Sequence, residues 1–160
     1  MEILKLVVHK QKGFLLLDVL SACALISIIL LSTISASRHF DTTLKINKVR
    51  VAAEIFAQDL RKLQRDTMFK CSGAGLTIKI TNGSVYSFYE GLSMKKSVSL
   101  DDLGCEGVYF NKVVKNAGFS YSGAPSVSGD FELKHRDLNN FSCKLSLQPV
   151  TGRVVISEDE

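Results

Sequence analysis

The sequence predicts an α+β fold: one long N-terminal helix, with a transmembrane half and an amphipathic half, packed on a small antiparallel β-sheet head. Three observations predict it. Residues 14–34 form a run of 21 apolar or small residues broken by one charge, Asp18. The 59 residues 14–72 contain neither Gly nor Pro, the two helix breakers. After Cys71 the apolar residues switch to a spacing of two, the period of a half-buried strand.

The chain has 160 residues, room for one domain, and a net charge of +4. That charge is uneven. Residues 38–70 hold eight Lys/Arg against four Asp/Glu, and residues 71–160 hold nine against ten. A basic stem with a near-neutral head lacks the global basicity of a nucleic-acid binder. A solvated helix face accounts for the stem's charge, with contact to anionic lipid headgroups ranked second.

The N-terminus comes first. MEILKLVVHKQK carries Lys5, Lys10 and Lys12 ahead of the apolar run, which is a targeting pattern. The run is long enough to cross a bilayer as a helix. Within it, an unpaired Asp18 costs about 3 kcal/mol on insertion scales, or snorkels toward the helix end. Three processing routes compete. A secretory signal with a cut near Ser35-Ala36-Ser37 is opposed by the run's length, since such signals use roughly 7–15 apolar residues. Leu20-Ser21-Ala22-Cys23 fits a lipobox, which would make Cys23 an acylated N-terminus. Against that, Asp18 would sit inside the signal, and ALISIILLSTI after Cys23 is apolar rather than a polar tether.

The third route rests on KQKGFLLLD, residues 10–18. A basic leader, Gly13, the aromatic Phe14 and an acid five positions after Gly13 resemble the N-terminal motif of the type IV pilin-like and pseudopilin family. The resemblance implies that a prepilin peptidase cuts after Gly13, that Phe14 becomes the methylated N-terminus, and that the apolar helix is retained. It implies that Asp18 pairs with the N-terminal amine of a neighbouring subunit, which offsets the burial of both charges. Asp18 stands where the family usually has Glu, one methylene longer, and Leu15 where Thr or Ser is common. On this reading residues 1–13 are a leader, 14–36 the transmembrane part of the helix, 37–70 the amphipathic stem and 71–160 the β-rich head.

The helix follows. From residue 14 to about 69 it would be about 85 Å long at 1.5 Å per residue. Major pilins often carry a Pro in its apolar part; this chain has none, so a straight helix is expected. Beyond the apolar half, Val49, Ala52, Phe56, Leu60 and Leu63 recur at three- and four-residue steps and form one apolar stripe. The stripe is expected to pack under the head's sheet, being too short for a coiled coil.

In the head, seven strands are expected, over residues 76–80, 85–89, 107–114, 118–122, 130–135, 142–148 and 153–157. Thr81-Asn82-Gly83-Ser84 joins the first two, Asn-Gly being a strong hairpin signal. Pro149-Val150-Thr151-Gly152 turns the last hairpin. Residues 122–129, rich in Ser and Gly, are expected to be the mobile loop. The closing LQPVTGRVVI and the helix segment AQDLRKLQR resemble the H-type minor pseudopilins of type II secretion and the FimT-type minor pilins.

A head outside the cytoplasm allows one disulfide among Cys71, Cys105 and Cys143, leaving a third thiol free; sequence does not choose the pair. There is no CxxC, and His9, His39 and His135 are far apart, so no zinc site is expected. Asp101-Asp102 is read as a solvated loop, because two adjacent acids do not supply a calcium site. No nucleophile–base set, phosphate loop or HExxH occurs, so no enzyme and no cofactor are expected.

Two functional readings remain. One is an assembly subunit of a secretion or pilus-type filament, single-pass in the cytoplasmic membrane with its head outside the cytoplasm. Its partners would be other pilin or pseudopilin subunits, the prepilin peptidase and the membrane. The other is a competence pilin that contacts DNA through Lys95, Lys96, Lys112, Lys115, Lys134, Arg136, Lys144 or Arg153. These cations are scattered, and Glu158-Asp159-Glu160 follows Arg153, which disfavours DNA. Orientation rests on the resemblance, since three leader Lys face four Lys/Arg in residues 38–50.

Overall fold

A computed structural model of the protein describes residues 2–69, 75–112, 114 and 116–159, with side chains from residue 16 onward except Ser35. One helix, α1 (Glu2–Phe69), precedes eight strands: β1 (Leu76–Asn82), β2 (Val85–Glu90), β3 (Ser93–Ser99), β4 (Val108–Lys112), β5 (Asn116–Gly118), β6 (Gly129–His135), β7 (Ser142–Leu147) and β8 (Val154–Asp159). Two compact units emerge, residues 1–42 and 43–160. The stem from Thr43 onward therefore belongs with the β-rich part.

In the first unit the backbone is helical through Gly13, so α1 begins at Glu2 rather than near Phe14. A lone Gly lowers helix stability by about 1 kcal/mol without forcing a break.

In the second unit the strands form two antiparallel four-stranded sheets, ordered β3-β2-β1-β5 and β4-β6-β7-β8. Phe110 N–H donates to Gly83 O at 2.6 Å, which ties β4 to the β1–β2 turn and so joins the sheets. All five expected stripe residues are buried, joined by Ala53 and Ala57. The alanines keep that face low, which lets one large side chain reach both sheets. That side chain is Phe56. Its ring meets Tyr86 of β2 at 5.1 Å, Phe110 of β4 at 4.9 Å and Phe131 of β6 at 5.0 Å, all edge to face. Such pairs contribute about 0.5–1.5 kcal/mol each beyond area burial. One turn along, Asp59 Oδ2 accepts the Tyr86 hydroxyl at 2.6 Å, so the buried phenol is satisfied.

The strands depart from expectation in four places. β3 is additional: SMKKSVS has little strand propensity and buries only Val98 well, and its pairing with β2 makes it a strand. β5 covers residues 116–118, not 118–122, because Ser120 N–H turns back to Ala124 O and Phe119 bridges Pro125. The first hairpin turns at Gly83-Ser84, one residue later than Asn82-Gly83, because a bulge between Ile80 and Asn82 extends β1. The loop 122–129 is fastened: Gly123 O accepts Gln64 Nε2 at 2.7 Å, and Ser126 N–H donates to Gly118 O at 2.8 Å.

Gln64 Nε2 also donates to Thr151 O at 3.2 Å, so a stem residue holds this loop and the β7–β8 turn together. Gly152 sits between them with φ +64°, where a Cβ would collide with Gly123 O and Gln64 Nε2.

Phe56→Ala should destabilise the folded protein by about 3–5 kcal/mol, since the cavity it leaves is walled by both sheets. Denaturant unfolding of the detergent-solubilised chain, followed by tyrosine fluorescence, checks this. A loss below about 1 kcal/mol would mean the sheets do not depend on the ring.

Candidate assembly site and head surface

The N-terminal site lies on one helix. Gly13 and Phe14 fall within α1, and their side chains lie outside those described. Asp18 is exposed, and among the described residues its carboxylate takes no partner. Around it the apolar side chains are bare: Leu17 is 70% exposed and Leu31 67%. This part of α1 is long and apolar enough to cross a membrane. Its hydroxyls suit such surroundings. Ser21 donates to Asp18 O at 2.8 Å, Ser27 to Cys23 O at 2.8 Å, Ser32 to Ile28 O at 2.9 Å and Thr33 to Leu30 O at 2.8 Å. Each is satisfied on its own helix, so none needs water or a neighbour. Among the described side chains of residues 16–34 the charged group is the Asp18 carboxylate, and no hydrogen bond on the helix satisfies it. Cys23 is an exposed free thiol on the same continuous helix.

Of the head cysteines, Cys105 and Cys143 are buried free thiols, and Cys71 lies outside the described residues. The expected disulfide is thus not made between Cys105 and Cys143. Burial pushes the Cys143 thiol up to about 11, with Glu158 adding and Arg50 opposing. Burial also raises Cys105, against the pull of Lys48. Both are protonated at neutral pH and chemically quiet.

Several cations considered for DNA contact are engaged with acids. Lys95 pairs with Glu90 at 3.2 Å, Lys134 with Glu132 at 3.1 Å and Lys144 with Asp130 at 3.0 Å. Lys115 lies outside the described residues. The acidic C-terminus has a specific use. Arg50 clasps Glu158 through Nε and Nη2, both at 2.8 Å, while its guanidinium lies 5.5 Å from the Phe141 ring centre. Glu158 thereby fastens β8 to the stem, a role its position in a charged tail conceals. Asp101 and Asp102 lie in the turn after β3, where Asp101 O accepts Gly104 N–H at 3.1 Å. Among the described residues no three His, Cys, Asp or Glu gather to hold a metal. His135 ends β6 as a buried residue, its Nδ1 accepting Asp137 N–H at 3.1 Å. Gly107, at φ +81°, must lack a Cβ, which would lie 2.8 Å from His135 Nε2.

A long N-terminal helix, bare at one end and buried at the other under a small antiparallel head, is the type IV pilin-like fold. The chain is similar to the type IV minor pilin FimU of Pseudomonas aeruginosa (strain PAO1), in two crystal forms. The P21 form matches with a TM-score of 0.55 at 14% identity, covering 69% of this chain and 89% of FimU. The P65 form matches at 0.50 and 13%, covering 68% and 91%. No protein-family model matches the chain. No curated protein matches it in sequence.

The ion pairs set a pH dependence. The Arg50 hydrogen bonds hold Glu158 below the usual glutamate range; a Ser146 hydrogen bond does the same for Asp130, and an Asn111 hydrogen bond for Glu132. Each is a stronger acid folded than unfolded, so its stabilisation is complete above the ordinary carboxylate range and disappears as pH falls through the lowered values. Thermal melts should be flat from neutral pH down to about pH 5 and fall below about pH 4. Arg50→Gln should flatten part of that acid limb; an unchanged limb would remove Glu158 from this account.

Proposed function

We propose that this chain is a minor pilin-like subunit that enters a type IV pilus-type or type II secretion filament through its N-terminal helix. The observation that carries this reading is an exposed apolar helix whose charged group, among the described side chains of residues 16–34, is Asp18, five residues beyond Gly13. A carboxylate fixed there takes no partner among the described residues and suits the terminal amine of a neighbour cut after Gly13. The FimU likeness supports the reading, FimU being a type IV minor pilin. The work is positional rather than catalytic: the helix packs among other subunits, and the head presents surfaces to them. Before cleavage the chain sits single-pass in the cytoplasmic membrane, head outside the cytoplasm.

Direct DNA capture is the weaker reading, since Lys95, Lys134 and Lys144 are engaged with acids. Acylation at Cys23 would discard Asp18 and begin the chain in mid-helix.

Mass spectrometry of the mature protein, from a host with a prepilin peptidase, should find a chain starting at methylated Phe14. A start at acylated Cys23 or at Arg38 overturns the reading. Gly13→Ala should leave the leader attached. Asp18→Ala should be cleaved normally yet enter sheared filaments at least about tenfold less, the loss of one charge pair in an apolar setting. Undiminished incorporation would remove Asp18 from assembly.

A further inference from the structure

We propose that Asn82 is a site of spontaneous deamidation to isoaspartate, and that this modification loosens the joint between the two sheets. The inference stands apart from the filament reading.

Three observations place the chemistry. Of the six asparagines in the chain, Asn82 is the one followed by Gly. The reaction is attack by the backbone nitrogen of the next residue on the side-chain amide carbon, and a Cβ on that residue hinders the approach; Gly83 has none. Gly83 is also the first corner of the two-residue turn that Asn82 and Val85 close, a position whose N–H points away from the hairpin. Among the described residues no backbone carbonyl accepts that N–H. Finally, Asn82 and Gly83 are both exposed, and nothing among the described residues holds the Asn82 carboxamide. Asn111 differs: its Nδ2 donates to Glu132 Oε2 at 2.8 Å.

The turn itself does not require the glycine. Gly83 is not among the residues with positive φ, and a Cβ there would meet Tyr109 Cβ at 3.6 Å, an ordinary contact. Alanine therefore fits the fold at this position, and what glycine adds is an unshielded nitrogen.

The step balances with water and hydroxide alone. Hydroxide removes the Gly83 amide proton, and the nitrogen attacks Asn82 Cγ. The bond from Cγ to the side-chain nitrogen breaks, and that nitrogen takes a proton from water and leaves as ammonia. Water then opens the cyclic imide. Opening at Cγ gives aspartate; opening at the backbone carbonyl gives isoaspartate, whose chain runs through Cβ and Cγ. The sum is one water taken up and one ammonia released, with no change of oxidation state.

The position gives the product a structural effect. This turn accepts two amides from outside the hairpin: Phe110 N–H donates to Gly83 O at 2.6 Å, and Leu100 N–H to Ser84 O at 2.9 Å. The first joins β4 to the turn, and the second seats the end of β3. Isoaspartate inserts a methylene into the main chain just before both carbonyls. Gly83 O then cannot keep its place against β4 while residue 82 stays paired with Val85. A new carboxylate appears beside the same joint.

The test ages the full chain in detergent micelles, in mildly alkaline buffer, beside a synthetic peptide of residues 78–87, until half of the peptide has converted. Digestion and mass spectrometry should find water exchanged for ammonia at Asn82 of the protein, with Asn139 and Asn140 intact. Isoaspartyl methyltransferase should move a labelled methyl group from S-adenosylmethionine to the aged chain and not to the fresh one. Gly83→Ala should melt like the unaltered chain and keep its Asn82. The Phe110 amide should exchange hydrogen faster in the aged protein than in the fresh one, a readout that needs no variant. An intact Asn82 beside a converted peptide overturns the proposal, as does equal conversion in Gly83→Ala or an aged chain that accepts no methyl group. Conversion with Phe110 exchange unchanged overturns the effect on the joint.

Discussion

The second unit depends on one ring. Phe56 projects from α1 beside Ala52, Ala53 and Ala57, and its ring is met edge to face by aromatic rings from both sheets. The consequence is geometric as much as energetic. Edge-to-face rings restrict how each sheet can turn about the helix, and the Tyr86–Asp59 hydrogen bond fixes the height of one of them. The remaining links are peripheral: Gln64 gathers two turns at one end, and Arg50 holds the last strand at the other. A stem so held behaves as the spine of the second unit, not as a tether to it.

Much of this was legible from residues alone, for physical reasons that differ by element. The long helix could be read because nothing in residues 14–72 interrupts it. The stripe could be read because burial against a sheet demands a three- and four-residue rhythm. Ala53 and Ala57 escaped it because alanine is neutral on helix faces; their clustering beside Phe56 was the available signal. β3 was missed because an edge strand buries one residue in seven and is made by its partner rather than by its own composition. The loop after Ser122 looked mobile because Ser and Gly suit loops, yet Gln64, some sixty residues earlier, fastens it. No local pattern announces such a contact. The same blindness applied to charge. Glu158 reads in the sequence as one of an acidic run that disfavours DNA, and its partner Arg50 lies 108 positions away.

The head's electrostatics share one logic. Several acids and bases that look scattered along the chain are same-strand, cross-strand or stem-to-strand neighbours, so these charges are locally paired. Exposed pairs of this kind add little stability singly. Their larger effect is on what the surface attracts, because a neutralised lysine no longer contributes to a field that could draw a polyanion.

The hydroxyls of Ser21, Ser27, Ser32 and Thr33 have a further consequence. Because each is already bonded to a carbonyl of its own helix, the apolar half of α1 is indifferent to whether acyl chains or other helices surround it. Moving such a rod from one to the other breaks no hydrogen bond and wets no polar atom, so the exchange is nearly isoenergetic along its length. Among the described side chains of residues 16–34 the Asp18 carboxylate is the exception, and on the proposed reading that unsatisfied charge would give the exchange a direction.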